Sequence, residues 1–451
     1  MILVIAAIIS PTELSVYLGG MRLSQHRLVF LLVLPLALLR LIRRPDIKIH
    51  AFDIAFLLYN VWTVSIFMYH GDSNLTAASG SNSGSQGALS YGGSLALEGL
   101  GGYIITRAYV RDWASCAAVI RLLFAAVALV GLFALPETIT NKHLIHDFAS
   151  SLTGYLFPLK YETRMGLERA YSTFDHPIHY GTFCASILAM VYFTERELAK
   201  RWRKCLMIGF ATILGLSSAP MLCIFLQLGL IVWDQVTRGV TGRLKMTLGA
   251  IFAVYVASSM LFNRSLAAFV ATGMTLDPWT GYYRLEIWAA GRENVMGAPF
   301  TGIGLADWVR PWWMIADSID AFWLVIPLRA GLPAVGLLLA AILLLLRAVA
   351  TKIKRHPDPE AYRFALGWSM SVIALSLCGV TVHYWNSPYA YLFVVLGLGG
   401  WLADPMPGRA RAKSAAVPVD RAMAPPASPR RRSGPTPRPR PAYQSLRPRV
   451  A

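Results

Sequence analysis

A succession of apolar windows, each near the length of a membrane-spanning helix, constrains this chain more than any other feature. A helix needs about 20 mostly apolar residues to cross the hydrocarbon core of a bilayer. Windows that meet or approach this length lie at 2–18, 27–42, 51–70, 89–106, 113–135, 178–194, 205–218, 219–235, 245–262, 319–346, 364–383 and 387–402. We therefore predict an all-α polytopic membrane protein with about twelve transmembrane helices, or eleven if the first window, interrupted by Pro11 and Glu13, does not span.

The formal net charge of +18 indicates orientation in the membrane rather than a nucleic-acid partner. Most Lys and Arg residues fall between alternate windows and after Trp401, and the basic loops are 40–48, 107–111, 196–204, 238–245 and 347–363. Cytoplasmic loops of membrane proteins are enriched in Lys and Arg. We therefore predict that both termini are cytoplasmic.

This orientation divides the chain into a transmembrane domain at 1–402 and a cytoplasmic tail at 403–451. The tail is rich in Pro and Arg and has too few apolar residues for a core, so we predict that it is disordered. It can be a simple solvated tail, a tether to anionic lipid, or a ligand for a proline-binding partner.

Three longer segments are predicted to be external. Residues 70–93 are rich in Ser, Gly and Asn and read as a flexible loop without chemistry. The two larger loops, 136–177 and 263–318, are the candidate functional surface. All five cysteines lie in or beside apolar windows, so we expect buried, reduced thiols and no disulfide.

Three ionisable residues are predicted inside the bilayer, where each is costly and needs a reason. Glu98 and Arg121 lie about eight residues from the cytoplasmic ends of neighbouring helices, which indicates a structural ion pair. Arg329 is continuous with the second functional loop and can face a cavity open to the outside, so it is a candidate substrate contact.

The loop at 136–177 ends with two arginines close to the membrane surface. A guanidinium binds phosphate oxygens bidentately and keeps its charge in a partly dry site, so Arg164 and Arg169 indicate phosphate recognition. Anchoring to lipid headgroups is the alternative. Metal sites at His176-x-x-His179 with Asp175, or at 143–147, are disfavoured because neither has a defined third ligand.

The loop at 263–318 adds Arg284 and carboxylates near the start of a predicted helix. Asp317 and Asp320, three residues apart, are expected on one face of that helix. A carboxylate beside arginines can accept a proton from a hydroxyl group, whereas helix N-terminal charge complementarity is the alternative. This part of the chain is also rich in tryptophan, which predicts an interfacial aromatic belt or, alternatively, stacking on sugar rings. The residues are Trp279, Trp288, Trp308, Trp312, Trp313 and Trp323.

Two groups of residues also carry a family resemblance. The first is Arg169-Ala170 with Phe174-Asp175-His176-Pro177 and Gly181; the second is Arg284-x-x-x-Trp288, Pro299, Gly302-x-Gly304, 318–324 and Arg329-x-Gly331-x-Pro333. Over roughly residues 21–401 the chain resembles the bacterial O-antigen ligase and O-antigen or exopolysaccharide polymerase family, membrane glycosyltransferases of the GT-C type.

The resemblance implies glycan transfer from an undecaprenyl-pyrophosphate-linked donor on the external face of the bacterial inner membrane, without a metal or other cofactor. It assigns Arg169 and Arg284 to the pyrophosphate, assisted by Arg164 and Arg329. His176 and Asp317 are further candidate substrate contacts. Ligases of this family carry His-Asn where this chain has Asp320-Ala321, so Asp320 is the available catalytic acceptor, together with Arg284.

The preferred interpretation is a polymerase of lipid-linked oligosaccharide repeat units, because the segment around Asp320 is more similar to exopolysaccharide polymerases. The first alternative is a ligase that transfers the glycan to lipid A core or to a protein. The second is a transporter or flippase lined by Glu98, Arg121 and Arg329, which the absence of visible internal repeats disfavours. Expected partners are the lipid-linked glycan, membrane lipids and a chain-length regulator, with no nucleic acid.

Overall fold

The computed structural model of the chain describes residues 1–18, 21–44, 47–71, 87–155, 159–242, 245–247, 249, 278–314, 316–353 and 358–404. Most of the predicted window at 245–262, the tail from residue 405, and parts of the external segments 70–93 and 263–318 lie outside these ranges. The predictions made for them are not addressed by the structure.

The described residues are mostly helical. The helices are α1 (Ile2–Ile8), α2 (Gln25–Ile42), α3 (Ala51–His70), α4 (Ala88–Tyr109), α5 (Trp113–Thr140), α6 (Leu144–Thr153), α7 (Pro177–Ser186), α8 (Leu188–Thr194), α9 (Leu198–Leu214), α10 (Ser218–Val236), α11 (Pro278–Gly297), α12 (Phe322–Ile353), α13 (Pro359–Cys378) and α14 (Ser387–Leu398). Two antiparallel hairpins complete the described fold: β1 (Val16–Leu18) with β2 (Met21–Leu23), and β3 (Thr163–Arg164) with β4 (Leu167–Glu168).

Among the described helices, six are long and apolar enough to cross a membrane, namely α2, α3, α5, α10, α12 and α13. They support the prediction of a helical membrane protein, although not the count of twelve spans. The first window does not form a span: α1 has seven residues, about 10 Å of helix, and is followed by a 3₁₀ turn at Thr12–Leu14 and by β1. Pro11 and the polar residues after it end the helix early.

The basic loops meet at one end of the helical bundle. Arg107 donates from Nη2 to Asp404 Oδ1 at 2.9 Å, and Arg111 donates from Nη1 to Asp404 Oδ2 at 3.2 Å. At the opposite end of α5, Glu137 accepts hydrogen bonds from the backbone of the loop that follows. His70, the last residue of α3, contacts the Thr301 carbonyl oxygen at 3.2 Å. The described parts of the two predicted functional loops thus lie at the end opposite the basic loops, while the assignment of either end to the cytoplasm stays a prediction.

Helix α14 lies at the centre of the bundle, and each of its residues is buried. It packs closely on α4, where a Cβ on Gly102 would lie 2.8 Å from the Ala390 carbonyl oxygen. All five cysteines are buried and free.

The predicted ion pair between Glu98 and Arg121 is wrong. Glu98 Oε1 instead accepts from Arg27 Nε at 2.7 Å and contacts His26 Nε2 at 2.9 Å, both on α2. Arg121 is exposed and lines a cavity near the basic loops, whereas Arg329 lines a different cavity. Within the described residues, Arg121 and Arg329 line these two separate cavities, and Glu98 lines neither.

Helix α12 is broken at Gly331, which has a φ of 78°. Pro333 has no N–H, so the carbonyl of Arg329 loses its partner within the helix. The backbone of the 299–304 turn supplies the missing partners. Ile303 N donates to Leu328 O at 2.8 Å, and Gly304 N donates to Arg329 O at 3.1 Å. The two glycine motifs of the sequence thus pack against each other.

We predict that adding a side chain at the Gly331 break lowers the stability of the protein strongly. A Cβ at Gly331 would lie 2.0 Å from the Phe300 carbonyl oxygen, and the positive φ is itself strained for a residue with a side chain. Gly331→Ala is expected to lower the free energy of unfolding by at least about 2 kcal/mol, measured by denaturant titration in detergent micelles. The matched control is Gly336→Ala in the same helix, where a Cβ meets nothing within 4 Å. Equal stability of the two variants would contradict the packing argument.

Candidate functional site

The first component of the site is Arg169, directly after β4. Its side chain is 3% exposed. Nη1 forms an ion pair with the Glu162 carboxylate, and Nη2 donates to Ser217 Oγ at 2.9 Å. The Arg169 backbone N–H also donates to Glu162 O at 3.1 Å, which closes the hairpin around the arginine. Arg169 Nε is buried without a hydrogen-bond partner among the described residues.

The second component is Arg284 on α11. Its side chain is 8% exposed, and Nε is buried with no hydrogen-bond partner in the part of the chain that the structure describes. Trp288, one turn further along α11, donates from Nε1 to Val380 O at 2.9 Å and fixes the helix against the α13–α14 loop. A buried guanidinium nitrogen without a partner is costly, which points to a ligand as its partner.

The third component is Asp320, which is half-buried just before α12. Burial raises the pKa of Asp320 above its ordinary value, while the positive charges of Arg284 and Arg169 act against this shift. Burial likewise lowers the pKa of Arg284, and Asp320 opposes that shift. The three charged groups that the sequence singled out therefore act on one another.

Asp320 forms no ion pair within 4 Å with either arginine in the described structure. The arginines are therefore not neutralised by direct contact with Asp320. Two guanidinium groups can bind the oxygens of one pyrophosphate, and a carboxylate of raised pKa is a better proton acceptor than an ordinary aspartate. The arrangement suits a reaction in which a group is transferred to a hydroxyl oxygen and a phosphate leaves.

Arg164 lies beside this group, whereas Arg329 does not contact it. Arg164 Nη1 donates to Leu216 O at 3.1 Å, one residue from the partner of Arg169. Arg329 Nη1 donates to Gly304 O at 3.0 Å and to Ala306 O at 2.5 Å. Arg329 Nη1 thus supports the turn that precedes α12, and the role of Arg329 as a substrate contact stays a prediction.

The placement of Asp317 with Asp320 on one helix face is wrong. Helix α12 begins at Phe322, so both carboxylates precede it. Asp317 is exposed, and its backbone carbonyl accepts from Trp308 Nε1 at 3.0 Å. Only Asp320 faces the arginines, because the extended backbone before α12 does not repeat its direction every three residues.

His176 caps the N-terminus of α7. Its Nδ1 accepts from the Ile178 N–H at 3.1 Å, which puts the ring proton on Nε2. Burial, with the neighbouring His179 and Arg169, lowers the pKa of His176 to about 2. His176 is therefore neutral at physiological pH, and as a substrate contact it would donate a neutral hydrogen bond.

The histidines and Asp175 of the two motifs considered for metal binding make contacts with other parts of the chain. His143 pairs with Glu137, and His146 Nδ1 lies 2.5 Å from Glu13 Oε1. Asp175 accepts from Thr12 Oγ1 at 2.7 Å. Within the described ranges, no three side chains of His, Cys, Asp or Glu come together as a metal site.

The α13–α14 loop contributes residues that the sequence analysis missed. His179 Nε2 donates to His383 O at 2.9 Å, and the rings of His179 and Trp385 are 3.8 Å apart. His383 lines a small cavity of about 40 Å³ with Arg329. Burial lowers the pKa of His383 to about 3, so its ring is neutral. The sequence signal for this loop is the run His383-Tyr384-Trp385 at the junction of the apolar windows 364–383 and 387–402.

The tryptophans do not form one uniform belt in the described structure. Trp288 and Trp323 donate to backbone carbonyls, and Trp308 is buried. Trp279, Trp312 and Trp313 are exposed, Trp312 to 93%. The exposed three can lie in the interface or contact a ligand, while the other three are held by hydrogen bonds to backbone carbonyls.

The sequence was compared with family models and with curated proteins. The chain matches no protein-family model and no curated protein.

Proposed function

We propose that this protein polymerises undecaprenyl-pyrophosphate-linked oligosaccharide repeat units into a surface polysaccharide or exopolysaccharide on the external face of the inner membrane. The observation that carries the proposal is the group of two buried arginines and one half-buried carboxylate at the end of the bundle opposite the basic loops. A lipid-linked pyrophosphate would reach this group from the membrane, and a hydroxyl acceptor would reach it from the aqueous side.

The proposed reaction joins the acceptor to the donor sugar in one displacement. The acceptor hydroxyl oxygen bonds to the anomeric carbon, and the bond from that carbon to the pyrophosphate oxygen breaks. The hydroxyl proton passes to the Asp320 carboxylate. The bonding electron pair leaves with undecaprenyl pyrophosphate, whose added negative charge Arg284 and Arg169 stabilise.

In this proposal the other residues position the reacting groups. Arg164 and His176 lie beside Arg169 and would contact the donor. Arg329 holds the 299–304 turn against α12 and thereby supports the segment that carries Asp320. A ligase would use the same donor group and differ only in its acceptor, so the two activities require a direct test.

The test uses the full-length protein in liposomes with a synthetic undecaprenyl-pyrophosphate-linked repeat unit and a metal chelator. A ladder of longer lipid-linked glycans without any added acceptor would support the polymerase. Product formed only when lipid A core is added would identify a ligase. Movement of intact donor across the bilayer with no change in its glycan would overturn both enzyme interpretations.

A further inference from the structure

A second charged cavity lies at the end of the bundle that carries the basic loops. It has a volume of about 360 Å³ and lies between α5, the end of α8, α9 and the start of α13. Trp113, Ala117 and Arg121 line it from α5 at intervals of four residues, so they form one stripe along the helix. This cavity is independent of the proposed glycan site.

The charges in the cavity leave one cation in excess. Lys204 Nζ is 2.5 Å from Glu195 Oε2, and Arg196 pairs with Glu360. Arg121 has no ion pair or hydrogen bond within the described ranges, although it lies in a segment apolar enough to span the membrane. An unpaired arginine inside a membrane span is costly unless a ligand or water meets it.

The position of Arg121 specifies the kind of anion. It follows the start of α5 by eight residues, about 12 Å along the helix axis, and its side chain extends back toward that start. The guanidinium is thus expected at the headgroup level, and the cavity walls include the apolar Phe124 and Val191. A phosphodiester with attached acyl chains matches both features, whereas free phosphate matches only the charge.

We propose that this cavity binds the headgroup phosphate of an anionic phospholipid, with Arg121 as its main contact. One net positive charge in the cavity matches the single negative charge of a phosphodiester such as that of phosphatidylglycerol. Trp113, the first residue of α5, also lines the cavity, and an indole suits the membrane interface.

The test measures binding of phosphatidylglycerol and phosphatidylethanolamine to the purified full-length protein by native mass spectrometry. The wild type is expected to prefer phosphatidylglycerol, and Arg121→Gln to weaken its binding about fivefold, the effect of one cationic side chain near a membrane surface. The matched control is Arg203→Gln, because Arg203 is exposed on α9 at the same end and does not line the cavity.

A second variant tests the cavity itself, so that the result does not depend on one substitution that could misfold. Ala117→Phe fills the cavity without changing any charge and is expected to weaken phosphatidylglycerol binding as well, with the melting temperature in detergent as the folding control. Wild-type affinity in a folded Arg121→Gln or Ala117→Phe variant would overturn the proposal. So would an equal loss in Arg203→Gln, or displacement of the bound lipid by millimolar inorganic phosphate.

Discussion

Replacing Arg284 with glutamine is expected to lower kcat for glycan transfer by about 100-fold to 1,000-fold, the usual cost of removing one group that stabilises developing charge. Arg284 is buried, and its Nε has no hydrogen-bond partner within the described ranges, so a bound pyrophosphate would give it its missing contact. Because the charge on the leaving group grows in the transition state, kcat should fall more than KM rises. The measurement is the initial rate of product formation in liposomes across a range of donor concentrations.

Arg292 provides the matched control for Arg284. It lies eight residues further along α11 and is exposed. Arg292→Gln removes the same charge from the same helix and is expected to keep the rate within about threefold of the wild type, since exposed charges contribute little. Equal losses in the two variants would indicate a general charge effect and would contradict the assignment of Arg284 to the leaving group.

Replacing Asp320 with asparagine is expected to lower kcat by about 100-fold to 10,000-fold, the range for a general base. The substitution keeps the size of the side chain and removes its capacity to take a proton. Asp317→Asn, three residues earlier and exposed, is the control and should stay close to wild type. Wild-type activity in Asp320→Asn would contradict the assignment of Asp320 as the proton acceptor.

The pH profile gives a second readout of Asp320. Only the ionised carboxylate accepts a proton, so the rate should fall as pH drops through the pKa of Asp320, which burial raises. Arg284 acts to lower that pKa. Arg284→Gln removes this effect, so the acidic limb of the residual activity should move to higher pH. A shift to lower pH would show that another group controls the limb.

The sequence was most informative where a local pattern decides the outcome. The long apolar windows became α2, α3, α5, α10, α12 and α13 because length and hydropathy alone make a helix compatible with the bilayer. Arg169 and Arg284 stand out as arginines near the membrane boundary, where a guanidinium suits phosphate, and Asp320 stands out as a carboxylate beside arginines. Their mutual interaction across more than a hundred residues is consistent with that selection.

The sequence was least informative where the choice of neighbouring helix decides the outcome. Glu98 pairs with Arg27 because α2 packs beside α4, and no local pattern encodes that adjacency. The joint placement of Asp317 and Asp320 failed for a different reason. It depended on a helix that includes both residues, but the helix begins at Phe322, and element boundaries are the least reliable part of such predictions.

The break at Gly331 has a mechanical consequence for the proposed site. In an unbroken helix, each backbone carbonyl accepts a hydrogen bond from the following turn of the same helix. The direction of the N-terminal part of such a helix is therefore fixed by the membrane-spanning part that follows it. Here the carbonyls of Leu328 and Arg329 are held by the 299–304 turn. The part of α12 between Asp320 and Gly331 therefore takes its angle from a loop. Changes in the loop sequence can change the direction of the Asp320 carboxylate without altering the part of α12 that follows Gly331.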